Sequence, residues 1–114
     1  MLKREEILAK TSLKKEVLTV KEWGGDITIS EMSGTQRDAW EQSLREKDAA
    51  GRIISPRAKL VAFTVTDEKG VRIFKDDDIE LIGDLSSSSL EEVCAVAMRL
   101  NGLGSDDVKE AKKN

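Results

Sequence analysis

The side chains that most often carry enzymatic or metal chemistry are scarce in this sequence of 114 residues. It contains no histidine and one cysteine, so neither a Ser-His-Asp triad nor a Cys-His pair can be assembled from it. A structural zinc site needs about four Cys or His ligands, which one thiol does not supply. Cys94 lies on the apolar side of a predicted helix, close to Glu91 and Glu92, and this setting predicts an inert core thiol.

Carboxylates and hydroxyls are the remaining candidates for chemistry. Residues 76–78 are three consecutive aspartates, but the alternating ligands, central glycine and distal glutamate of an EF-hand loop are missing. We interpret them as the start of a helix, where carboxylates accept backbone N–H groups and oppose the helix dipole. The serines at 86–89 have no base to activate a hydroxyl, and no phosphate-binding G-x-x-x-x-G-K-[ST] motif occurs. The sequence therefore predicts no catalytic residues, no metal ligands and no cofactor.

The charge distribution favours a protein partner. Residues 1–60 carry a net charge of +2 and residues 61–114 a net charge of −5, and opposite signs of this kind favour association between proteins. The longest basic cluster is a pair, whereas nucleic-acid binding needs a basic patch. No apolar run approaches the roughly 20 residues that span a bilayer, and the charged start lacks the apolar stretch of a signal peptide. We expect no nucleic acid, no membrane and a cytoplasmic location.

A β-hairpin at about residues 15–31 is the clearest local signal. Two β-rich runs flank Gly24-Gly25, and glycine supplies the positive φ of a two-residue turn. With these glycines at the centre of the turn, Val20 faces Ile29, and Trp23 lies on the opposite face near the tip. The residues expected to share the buried face are Leu18, Val20, Ile27 and Ile29.

Five helices are predicted after the hairpin, at about residues 34–46, 56–66, 76–83, 88–101 and 105–112. Ser33 and Gln36 form the capping-box pattern that begins the first helix, and Pro56 fits the first turn of the second. Residues 60–66 also fit a strand, because Val, Phe and Thr favour β structure, so both alternatives stay open there. The predicted fold is α+β: one domain over residues 1–114, with an N-terminal β-hairpin followed by four or five short helices packed around one small core.

A partner-binding surface is the functional candidate that remains. Trp23 is expected beside the hairpin tip, on the same face as Lys21 and Thr28, and aromatic side chains dominate binding hot spots. The alternative is that a helix covers this side and that Trp23 packs against it. Trp40 is expected in the core, one helical turn from Leu44. The free edges of the hairpin are a second candidate, because an unpaired strand can accept a strand of another chain.

The order of these segments resembles the tail assembly chaperones of long-tailed, non-contractile bacteriophages and their prophages. The resemblance runs almost end to end, and its order and spacing carry it rather than any single motif. It departs from the family at residues 53–56, Ile-Ile-Ser-Pro, in the central loop. The similar segments are KREEIL at 3–8, VKEWGG at 20–25, MSGTQRDAWE at 32–41, RAKLVA at 57–62, TDEKG at 66–70 followed by Phe74, and LNGL at 100–103.

The resemblance implies a chaperone that binds the tape measure protein, keeps it soluble and promotes polymerisation of the tail tube. It also implies a location in the host cytoplasm and absence from the mature virion. The tail tube protein is a second candidate partner, and weak self-association is left open. In many relatives a frameshift adds a second domain. The alternatives are a structural tail component, such as a tube or joining protein retained in the virion, and an enzyme that uses acidic residues alone.

Overall fold

Residues 1–104 are described by a computed structural model, and the helix predicted at 105–112 lies outside this range. The described part is α+β, as predicted: a three-stranded antiparallel sheet with the hairpin near the N-terminus and four α-helices after it. The strands are β1 (Lys15–Val20), β2 (Gly25–Ser30) and β3 (Val65–Thr66). The helices are α1 (Arg4–Leu8), α2 (Gly34–Ser43), α3 (Pro56–Thr64), α4 (Ile79–Gly83) and α5 (Ser87–Leu100), with 3₁₀ turns at Lys21–Trp23 and Asp76–Asp78.

The hairpin has the predicted buried face but a different register. Val20 pairs with Gly25, not with Ile29, because the chain turns through the 3₁₀ segment Lys21–Trp23 and only Gly24 takes the positive φ, at 79°. The predicted Gly24-Gly25 turn is therefore wrong. The two registers differ by an even number of residues, and side chains alternate with a period of two, so the same residues still face the core. The four residues expected on this face, Leu18, Val20, Ile27 and Ile29, all belong to the core or pack against it.

The segment at 60–66 combines both of its predicted alternatives. Helix α3 ends at Thr64, whose hydroxyl donates to the Leu60 carbonyl at 2.7 Å. The next two residues form β3, in which Val65 pairs with Ile29 of β2. The predicted helix at 56–66 is thus wrong for its last two residues, because the edge of β2 offers them backbone partners.

The predicted starts of α2 and α3 are confirmed. At α2, Gln36 N–H donates to Ser33 Oγ at 3.2 Å, and Ser33 N–H donates to Gln36 Oε1 at 2.9 Å, which satisfies two of the N–H groups that a helix start leaves unpaired. At α3, Ser55 Oγ accepts the Ala58 N–H, and Pro56 occupies the first helical position.

Helix α3 lies at the centre of the core. It contacts α2, α4 and α5, and α5 covers the inner face of β1 and β2. Cys94 is buried in α5, as predicted, with its thiol 3.6 Å from the Arg57 carbonyl oxygen, and Trp40 is buried as expected. The apolar residues with the least exposure are Val20, Ile29, Ala58, Leu60, Val61, Ala62, Val65, Val93 and Ala97.

Candidate partner-binding surface

The outer face of the sheet is the side turned away from α5. It is formed by the alternate residues of the strands: Lys15, Val17, Thr19, Asp26, Thr28, Ser30 and Thr66. Thr28 lies at its centre, paired with Val17 on one side and with Thr66 on the other. Val17 is 66% exposed, so an aliphatic side chain is presented to solvent beside Thr19 and Thr28. Ser30 and Thr66 are buried, and their hydroxyls bond each other at 2.6 Å.

An open groove borders this face beside the first half of β2. Its volume is about 470 Å³, and its lining includes Thr28, Ile73, the acidic residues Asp26, Asp67 and Glu68, and one basic residue, Lys69. The Asp67 carboxylate accepts the Lys69 and Val71 N–H groups, which shapes the turn after β3. The volume is that of a small-ligand site, but the groove lacks the enclosure that such sites have. Its lining suits an aliphatic or basic side chain of a macromolecular partner.

The three residues predicted to form the binding surface lie in two parts of the hairpin. Thr28 is half-buried on the outer face, whereas Lys21 and Trp23 belong to the 3₁₀ turn, where Lys21 is exposed. Trp23 is half-buried and packs against the core, so its predicted position on the face opposite Leu18 is wrong. The reason is the helical turn, which rotates residue 23 away from the direction that a continued strand would give it.

Sequence reasoning missed two other places where large apolar side chains are exposed. One is the N-terminal arm, residues 1–13, which includes α1 and in which every residue is exposed. The other is α4 and the residues after it, where Leu81 and Leu85 are exposed. The local sequence carries no signal for either place, because the exposure of an apolar side chain depends on which other elements pack against it.

Two of the segments that carry the family resemblance contact each other through Asn101. Its side-chain Oδ1 accepts the Met32 N–H at 2.7 Å, and its Nδ2 donates to the Ala97 carbonyl at 2.8 Å. The Arg37 guanidinium donates to the Asn101 carbonyl at 3.2 Å. These bonds join the start of α2 to the end of α5, so the residues of both segments have a structural role in holding the two helices together.

Two side chains with a lowered pKa, Glu22 and Lys59, also link elements of the fold. The Glu22 carboxylate accepts the hydroxyls of Ser86 at 2.5 Å and Ser88 at 2.6 Å, and these two bonds lower the pKa of Glu22. They tie the hairpin turn to the start of α5. Burial lowers the pKa of Lys59, an effect that Glu46 opposes, and its ammonium donates to the Ser43 carbonyl at the end of α2.

Within residues 1–104, we find no cluster of three or more cysteine, aspartate or glutamate side chains that could hold a metal ion. Nor does any helix in that range have the length and apolar character needed to cross a membrane.

Comparison with known proteins identifies the family. No curated protein matches the sequence. Among solved structures, the chain is similar to the tail assembly chaperone of bacteriophage HK97, with a TM-score of 0.57 and 19% sequence identity over 77% of this chain and 85% of that one. At this identity, the likeness shows a shared fold. The model of a family described as phage tail assembly chaperone matches residues 2–114, and because this match spans almost the whole sequence, the chain belongs to the phage tail assembly chaperone family.

Proposed function

We propose that this protein binds the tape measure protein of its phage, keeps it soluble in the host cytoplasm and promotes polymerisation of tail tube subunits around it. In this proposal the protein leaves before the virion is complete. The observation that carries the proposal is membership of the chaperone family. The proposed client is long and largely helical, so it needs protection of apolar side chains until the tube encloses them.

The exposed apolar side chains support this role. They are spread over the outer face of the sheet, the N-terminal arm and α4, so a long client can contact the chaperone at several points. Separate small contacts favour moderate affinity and ready release, which an assembly chaperone requires. Charged residues make up 36% of the chain, and a charged exterior favours solubility of the complex.

We propose the outer face of the sheet as the main client surface. Thr28 and Val17 form its centre, and the groove beside Ile73 accepts a side chain of the client. Lys21 and the exposed part of Trp23 extend the contact to the hairpin turn. The mechanism is reversible binding, with no catalytic step and no cofactor, and the tail tube protein is a second proposed partner.

Co-expression with the tape measure protein tests this function. We expect the soluble fraction of the tape measure protein to rise when the chaperone is present, and the two proteins to co-purify. Val17→Asp introduces a charge at the centre of the client surface and is expected to reduce this effect. Gln42→Asp, at an exposed position of α2, is the matched control and should behave like the wild type. An insoluble client in the presence of the wild-type chaperone refutes the proposal.

Mass spectrometry of purified virions tests the proposed departure. We expect the chain to be absent or far below stoichiometric amounts in finished particles. A stoichiometric amount would favour the alternative of a structural tail component and would refute this part of the proposal.

A further inference from the structure

We propose that the free edge of β1 binds an extended, acidic segment of another protein as an added strand of the sheet. The β1 edge is the side of Lys15–Val20 that faces away from β2. This contact differs from the proposed client surface, because it uses main-chain groups and requires an extended rather than a helical partner. It goes beyond the proposed function and does not rest on it.

The main chain of β1 presents a row of donors and acceptors on this edge. The Glu31 N–H donates to the Lys14 carbonyl at 2.8 Å, and hydrogen-bonded pairs recur at every second residue of an antiparallel ladder. The even-numbered residues of β1 therefore bond to β2, whereas the odd-numbered residues direct their N–H and C=O groups outward. These outward residues are Lys15, Val17 and Thr19. Within residues 1–104, no other element donates to or accepts from these main-chain groups.

The β1 edge is open to solvent along its length. Its three outward residues are exposed, as is every residue of the N-terminal arm that precedes them. The opposite edge of the sheet is shorter, because β3 has two residues and only a single bridge joins Thr66 to Arg72. The Arg72 side chain also bonds to the Ala62 carbonyl, at 2.8 Å. An unpaired strand edge is a template for an extended peptide, and here that template is β1.

The charge beside the β1 edge selects an acidic partner. Residues 14–21 contain three lysines and one acidic residue, a net charge of +2. The acidic residue, Glu16, lies 2.6 Å from the Arg99 guanidinium, whereas the three lysines pair with no carboxylate in residues 1–104. Two such edges repel each other, and lysines on an edge strand discourage pairing between copies. Complementary charge therefore favours an acidic strand over a second copy of this chain.

The side chains of β1 indicate the pattern of the added strand. Successive side chains of a strand alternate between the two faces of a sheet. On the outer face, an acidic side chain of the partner would lie beside Lys15 and Thr19. On the inner face, an aliphatic side chain would extend the cover over Leu18, which is half-buried and packs against the core. We therefore expect a segment in which acidic and aliphatic residues alternate.

Amide hydrogen exchange followed by NMR tests this contact. The probe is a synthetic peptide in which glutamate and valine alternate. At saturation, the amides of Lys15, Val17 and Thr19 should exchange at least about tenfold more slowly, whereas Glu16 and Leu18, already bonded to β2, should change little. The same peptide with lysine in place of glutamate is the control and should bind far more weakly. Salt that shortens the Debye length to about 3 Å should weaken the glutamate peptide about fivefold.

Three variants separate the main-chain contact from the charge. Val17→Pro removes an outward N–H and should lower the affinity for the glutamate peptide by about tenfold or more, while an edge strand tolerates proline where the N–H faces solvent. Val17→Thr keeps the N–H and the preference for β structure, so it should retain most of the affinity. Lys15→Glu/Lys21→Glu should reverse the preference and bind the lysine peptide more tightly. Circular dichroism verifies that each variant is folded.

Four outcomes would overturn the proposal. The lysine peptide could bind as tightly as the glutamate peptide, or the protected amides could lie outside the alternate positions of β1. Val17→Pro could bind as well as the wild type. Finally, protection of the outward amides could grow with protein concentration in the absence of peptide, which would make a second copy the occupant. The client is absent from all of these measurements, so failure of this contact and failure of the proposed function are distinguishable.

Discussion

Replacement of the buried lysine in α3 tests how the end of α2 is held against the core. Among residues 1–104, Lys59 is the only Lys, Arg, Asp or Glu side chain that is buried, at 1% exposed. Its ammonium donates to the Ser43 carbonyl, and burial lowers its pKa. The Ser43 carbonyl also accepts the Glu46 N–H at 3.1 Å, so it keeps a partner when the lysine is removed.

The change in the free energy of unfolding depends on which part of the Lys59 side chain is removed. Lys59→Met keeps an unbranched apolar chain and removes a desolvated charge without orphaning an acceptor. We therefore expect the free energy of unfolding to rise, or to fall by less than about 1 kcal/mol. Lys59→Ala also removes the packed methylenes and leaves a cavity, which should lower the free energy of unfolding by about 2–4 kcal/mol.

The pH dependence of the free energy of unfolding provides an independent check on the role of Lys59, and its sign can be worked out. The pKa of Lys59 is lower in the folded chain than its ordinary value of 10.5, so between these two values the unfolded chain binds more protons. The stability of the wild type should consequently rise with pH in this window, and the destabilising contribution is present in full below the folded pKa. Lys59→Met should lack this contribution to the rise.

Urea unfolding at several pH values between neutral and alkaline measures both effects. Tryptophan fluorescence is a suitable probe, because Trp40 is buried close to Ser43 in sequence and in the fold. Lys47→Met removes an exposed lysine from the same region and should change neither stability nor its pH dependence. A loss of more than about 2 kcal/mol in Lys59→Met, or an unchanged pH slope, would refute the reasoning, because the buried ammonium would then be a net stabilising group.

Three further predictions follow from other contacts. Glu22→Gln should weaken the link between the hairpin turn and α5 and remove a pH-dependent contribution to stability. The pKa of Glu22 in the folded chain lies below 4.5, so this contribution is present above pH 4.5 and is lost as pH falls through the folded pKa. Urea unfolding at a series of acidic pH values measures it. Asn101→Ala should lower the free energy of unfolding by about 1–3 kcal/mol because the Met32 N–H loses its acceptor; Asn101→Asp, which keeps an oxygen, should recover part of this in the same urea assay. Val17→Asp should lower the free energy of unfolding by about 1 kcal/mol or less, since Val17 is exposed and only its preference for β structure is lost; a larger loss in thermal unfolding would mean that Val17 is part of the core.

The local sequence was sufficient for the starts of α2 and α3, for the two strands of the hairpin and for the buried face of the hairpin. Ser33 and Gln36 predicted the start of α2 because a capping box is complete within four residues. The alternation in the hairpin predicted which side chains are buried, and that result survived an error in register because the error was even. The family resemblance also came from the order of segments along the chain, and the match over residues 2–114 confirms it.

Contacts between residues far apart in the sequence decided the rest. The 3₁₀ turn at Lys21–Trp23, which moved Trp23 toward the core, is tied by Glu22 to serines of α5 more than 60 residues away. Strand β3 exists because β2 offers Val65 a backbone partner, and Lys59 is buried because α2 ends above it. Which apolar side chains stay exposed, as in the arm and α4, also depends on what packs against them. Local patterns determine what an element is, whereas packing determines where it lies and which of its faces remain for partners.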